Sequence, residues 1–102
     1  MIVQKSIEAK LRTQLEPSHC QVLNESYMHS VPENSETHFK VIVVSELFVA
    51  KTRVARHQLI NRILSAEIEG PVHALSIQAH TEEEWLKREG MILKSPDCAS
   101  SD

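Results

Sequence analysis

The sequence predicts an α+β fold: a two-layer sandwich in which a small three-stranded mixed sheet carries helices on one face. Three observations predict it. Apolar residues recur at helical spacing in separate stretches, and they alternate with polar residues in three short runs between them. Three strands with one apolar side need one cover, which packed helices supply. At 102 residues, with 41% hydrophobic and 25% charged residues, the chain is expected to form one soluble domain with one modest core. The domain is read as 1–94, and the polar "SPDCASSD" at 95–102 as a flexible tail.

Val3, Ile7, Leu11 and Leu15 recur every four residues among charged neighbours and give an amphipathic first helix, stopped by Pro17. "HCQVLNES" reads as a strand with Cys20 and Val22 on one face, followed by a polar loop carrying His29. "THFKVIVVS" is the clearest strand. Phe39, Val41 and Val43 share a face, and Ile42 and Val44 make the other face partly apolar too, which suits a central position. "ELFVAKTRVARHQLINRILSAEIEG" reads as helix with a break at 50–52, Thr52 as cap, and Ala55, Leu59, Ile63 and Ala66 on the inner stripe. Gly70 and Pro71 end it. "VHALSIQA" alternates as a third strand, and Thr81 with Glu84 forms a capping box for a short last helix.

The chain carries no G-x-S-x-G elbow, P-loop or H-E-x-x-H, so the reading is non-enzymatic, with no small-molecule substrate. A net charge of -3 gives no global attraction to nucleic acid; such binding needs a local basic patch. Lys51, Arg53, Arg56, His57 and Arg62 supply one on and before the long helix, read either as a phosphate-binding face or as a solvated face paired with glutamates. No C-x-x-C occurs, and Cys20 and Cys98 are read as reduced thiols of a cytoplasmic protein. The N-terminus lacks the apolar run of a signal peptide, and no stretch is apolar enough to span a membrane.

Histidine is unusually frequent, with six in the chain and none at the i, i+4 spacing of a local metal site. His73 opens the third strand with the parity of Leu75 and Ile77, which predicts a ring on the core side at the open end, partly sheltered. It reads either as a ligand or as a boundary histidine bonded to backbone. His29 reads as a solvated loop residue and His38 as a strand residue on the less buried face.

"ESYMHSVPENSETHFKVIVVS", "ARHQLINRIL", "GPVHALSIQAHTEEEW" and "SPDC", in this order and spacing, resemble the BolA family over nearly the whole chain. The resemblance implies a class II K-homology-like fold in the order α-β-β-α-α-β-α. It implies a monothiol glutaredoxin as partner and a bridging [2Fe–2S] cluster held only in that complex, with glutathione; none is expected in the isolated chain. It also implies roles in iron homeostasis and, for bacterial members, DNA-binding regulation of stress response and cell morphology. Residue by residue, His73 of "VHAL" matches the family's cluster ligand and His29 the variable loop ligand, with His38 structural. For nucleic acid the candidates are Lys51, Arg53, Arg56 and Arg62. One departure stands out: where the family commonly has F-x-G before the long helix, this chain has "FVA", with Ala50 in the glycine position. No glycine precedes Gly70, so the G-x-x-G clamp of true K-homology domains is absent.

Overall fold

The computed structural model describes residues 2–28, 32 and 35–94. Helix α1 spans Ile2–Leu15, strand β1 His19–Asn24 and strand β2 His38–Val44. Helices α2 (Arg53–Ile63) and α3 (Ser65–Glu69) follow, then strand β3 (Ala74–His80) and helix α4 (Glu82–Lys94). The order is the expected α-β-β-α-α-β-α. The sheet is mixed, β1-β2-β3, with β1 antiparallel and β3 parallel to the central β2.

The α1 stripe buries Ile7, Leu11 and Leu15. They meet Cys20 and Val22 of β1 and Phe39, Val41 and Val43 of β2, while Ile60 and Leu64 close the core from above. Each such side chain contributes about 2 kcal/mol of burial. Leu75, Ile77 and Ala79 of β3 pack against its margin. Cys20 is a core residue whose thiol is pushed up chiefly by burial, the opposite of an activated nucleophile. Cys98 and the tail expected at 95–102 lie outside the described residues.

Two elements differ in detail from the sequence reading. The long helix is two helices, broken at Leu64, and the break rotates the second part. Ala66, expected inside, is exposed, and Glu67 is buried in its place. Helices α1, α2 and α3 share the core face, but Trp85 of α4 stacks on His19 at 4.9 Å and lies 5.6 Å from His80. Both histidines pair with Val44 in the register and so point to the face opposite Val43. Helix α4, longer than expected, thus places Trp85 at one end of the second face.

Ala50 explains the family's glycine. The Lys51 N–H donates to the Phe48 carbonyl (3.1 Å), with Val49 at φ -59°, ψ 135° and Ala50 at φ 67°. This is a type II turn, whose third residue needs the left-handed region. Alanine pays a steric cost there that glycine avoids, partly offset by glycine's freer unfolded chain. Ala50 is exposed, so nothing else changes on substitution. Ala50→Gly should therefore stabilise the domain by about 0.5–1 kcal/mol, a rise of a few degrees in Tm. A thermal melt in which the variant unfolds earlier would show that the turn is not strained.

Candidate functional site: a histidine pair and a basic groove

Two regions, at opposite ends of β3, gather the residues singled out above. The first is the base of the 24–38 loop. Asn24 ends β1 by folding back: its Oδ1 accepts from the Ser26 N–H (3.0 Å) and its Nδ2 donates to the Ser35 carbonyl (2.9 Å). Buried Ser26 then accepts through Oγ from the amides of Thr37 (3.0 Å) and His38 (3.1 Å). The two loop ends are thereby pinned together. The Thr37 carbonyl in turn accepts from the amides of His73 (2.7 Å) and Ala74 (3.1 Å). One residue therefore fixes the position of the His73 backbone relative to the loop that carries His29.

His73 is exposed and lies just before β3, not sheltered on its core side as expected, because the strand starts at Ala74. The parallel register sets His38 opposite Ala74, which brings the His38 and His73 rings to 6.3 Å between centroids, edge to face. His38 is half-buried, with Nδ1 2.8 Å from the Thr37 hydroxyl. His29 lies outside the described residues. Among the described residues no group of three or more His, Cys, Asp or Glu is placed to hold a metal. What the fold assembles is a pair of imidazoles, borderline ligands suited to iron, zinc or copper.

The second region is a groove of about 600 Å³ between the start of α2, the end of β3 and the start of α4, lined among others by Lys51, Arg53, Arg56, His57, Ile77 and Glu84. The expected basic patch is divided here. Arg62 lies elsewhere, lining a hollow with Lys10, Gln14, Leu59 and Ile63 between α1 and α2. Arg56, expected as a phosphate contact, is engaged within the fold. Its Nε donates to the Lys51 carbonyl (3.0 Å), Nη1 to the Ala79 carbonyl (3.1 Å), and both terminal nitrogens to the Glu84 carboxylate (2.7 and 3.2 Å). Glu84 also completes the capping box: its Oε1 accepts from the Thr81 N–H (2.9 Å), and the Thr81 hydroxyl accepts from the Glu84 N–H (3.2 Å). The Arg56 hydrogen bonds, with that from Thr81, lower the Glu84 carboxyl to about 2. His80 is lowered chiefly by burial and then by Arg88, which favours its neutral form. Lys51 and Arg53 are the exposed cations of the groove.

The model of the BolA-like protein family matches residues 11–84, almost three quarters of the chain. The chain belongs to the BolA family. This BolA-family chain is 44% identical over 97 residues to the DNA-binding transcriptional regulator BolA of Vibrio cholerae, spanning 95% of this chain and 92% of that one. It resembles the solution structure of BolA1 from Mus musculus with a TM-score of 0.79 at 46% identity, covering 85% of this chain and 71% of that one. The BolA domain of SufE1 from Arabidopsis thaliana matches with a TM-score of 0.74 at 40% identity, covering 79% and 93%.

Sequence reasoning missed three contributors. Ser26 and Thr37 act through backbone contacts that carry no motif, and Glu84 was visible only as a local cap. The 28-residue separation between Arg56 and Glu84 left no periodic signal.

Proposed function

We propose that this BolA-family protein is a non-enzymatic, cytoplasmic adaptor that binds a monothiol glutaredoxin and contributes His73 and His29 to a bridging [2Fe–2S] cluster, in iron homeostasis and cluster trafficking. The observation that supports it most is the Thr37 carbonyl holding the amides of His73 and Ala74, so that an exposed imidazole stands at the base of the loop bearing a second one. Two neutral imidazoles on one iron raise a cluster's potential relative to all-thiolate ligation. Thiolates for the other iron would come from the glutaredoxin cysteine and glutathione. The part of this chain is to present His73 on a rigid strand end and His29 on a longer arm.

Co-expression with a monothiol glutaredoxin, followed by visible absorbance and circular dichroism of the purified complex, tests the reading. His73→Ala should abolish the cluster signal, and His29→Ala should weaken or shift it. His38→Ala should leave it in place, despite the proximity of His38 to His73. If both ligand variants keep the wild-type spectrum and cluster lifetime, the ligand assignment is wrong. Loss in His38→Ala but not in His29→Ala would move the second ligand to His38.

A second reading is DNA-binding regulation of stress response and cell morphology. It is favoured by the name of the Vibrio cholerae relative and by exposed Lys51 and Arg53. Binding should fall steeply with salt and be reduced at least tenfold by Lys51→Glu with Arg53→Glu. Affinity for duplex DNA that ignores both salt and the double variant would sink it.

A further inference from the structure

The two edges of the sheet are treated differently. On β1, the Glu25 N–H donates to the His38 carbonyl, so odd-numbered residues face β2 and even-numbered ones face outward. Those outward carbonyls are capped by α1: Arg12 donates to Cys20 and Gln4 to Val22. On β3 the Ala74 N–H and the His80 carbonyl bond toward β2 and its flanks, so Leu75, Ile77 and Ala79 turn their backbone groups outward. The Ala79 carbonyl takes Arg56. Among the described residues no strand pairs with the rest of this edge. The strand, "ALSIQAH", holds no proline, lysine or other charged gatekeeper. It is an edge built without the usual protection, and it opens beside Ile77 and Ala79 into the groove flanked by Lys51, Arg53 and His57.

We propose that this edge and groove form a docking site for an extended acidic peptide segment of a partner protein, which adds as a fourth strand beside β3. The outward groups of Leu75 and Ile77 and the Ala79 N–H pair with the peptide backbone, and its acidic side chains meet Lys51, Arg53 and His57. The charge is complementary because the acidic residue lining the groove, Glu84, is neutralised by Arg56. A peptide suits the site better than nucleic acid does: the edge offers alternating backbone donors and acceptors, and among the described residues the groove lining has no Phe, Tyr or Trp on which a base could stack. The groove lies at the far end of the strand from His73 while the edge runs back to Leu75, two residues from it, and the proposal rests on this edge and its charges, not on the cluster reading.

The test uses the full chain and a fluorescein-labelled, end-capped peptide of seven alternating Glu and Val residues. Its companions are the same peptide N-methylated at alternate amides, a Lys–Val counterpart and a single-stranded 12-nucleotide DNA. Anisotropy should show the Glu–Val peptide binding, with at least tenfold weaker binding after N-methylation, charge reversal of the peptide, or Lys51→Glu with Arg53→Glu. Both substituted residues are exposed, and circular dichroism verifies that the double variant folds. Amide hydrogen exchange should slow at Leu75, Ile77 and Ala79 when the peptide binds. Three outcomes overturn the proposal: no binding, equal binding of the N-methylated peptide, or displacement of the peptide by DNA at lower concentration without protection of those amides. The last would assign the groove to phosphates.

Discussion

Replacing Arg56 by alanine should destabilise the domain by about 3 kcal/mol, seen as a lower urea midpoint with an unchanged slope. The side chain is 12% exposed and joins three parts of the fold: the Lys51 carbonyl before α2, the Ala79 carbonyl on the edge of β3, and the Glu84 carboxylate in the first turn of α4. Its guanidinium also sits 5.9 Å from the centre of the Phe48 ring in the core. A charge-assisted hydrogen bond contributes about 1.5–3 kcal/mol. The two carbonyls can regain water once Arg56 is gone, and Glu84 is 45% exposed, so the sum is well below three such bonds. Arg56→Lys should recover little of the loss, because an ammonium cannot hold a planar carboxylate and two carbonyls together. A lysine variant as stable as wild type would mean that Arg56 acts as a point charge and that the clamp does not exist.

The same contact has a pH signature. The Glu84 carboxyl is lowered to about 2 from an ordinary value of 4.5. Its contribution is therefore complete above about pH 4.5 and is lost as pH falls from there toward 2. Arg56→Ala should narrow that drop, bringing variant and wild type closer together at pH 3 than at pH 7. A double-mutant cycle with Glu84→Gln should give a coupling of about 1 kcal/mol. For the DNA reading this means that a charge reversal at Arg56 would unfold the groove and give a false positive, which is why Lys51 and Arg53 carry that test.

What the sequence made legible was local. The four-residue recurrence of α1, the alternation around Phe39, Val41 and Val43, the Thr52 cap and the Thr81–Glu84 box are each set within a few residues, and the structure has all of them. Contacts set by tertiary register were not legible. His38 meets His73 because β2 and β3 run parallel with His38 opposite Ala74, and alternation carries no information about strand order or stagger. The basic cluster read as one patch because its members are close in sequence. On α2, Arg53 and Arg62 are nine positions apart and so lie about half a turn out of phase, and the structure puts them on different grooves. Ala50 was visible as a departure from the family, but its φ came from the turn between Phe48 and Lys51. Helical phase was carried straight through Leu64, and the break there is what brings Glu67 inward.

That misplaced glutamate leads to the second large effect. Glu67 on α3 is 8% exposed, and its carboxylate accepts from Ser6 (2.7 Å) and Lys10 (3.0 Å) of α1. Burial pushes this carboxyl up, but the hydrogen bonds from Lys10, Ser6 and its own backbone amide outweigh burial together and leave it below the ordinary value. Lys10→Met should cost about 2 kcal/mol at pH 7, because it leaves a buried carboxylate with its strongest donor gone. Lysine 39% exposed can swing into water, so Glu67→Gln, which removes the charge and keeps the shape, should cost less. The sign of the pH dependence separates the two. In the wild type a lowered carboxyl contributes above pH 4.5 and is lost as acid protonates it. In Lys10→Met the lowering by Lys10 is lost while burial still pushes the same carboxyl up, so its pKa rises relative to wild type and the penalty of the variant should shrink as pH falls from 7 to 3. Urea titrations at both pH values measure this, and a penalty that stays constant or grows in acid would show that Lys10 matters for packing and not for the charge on Glu67.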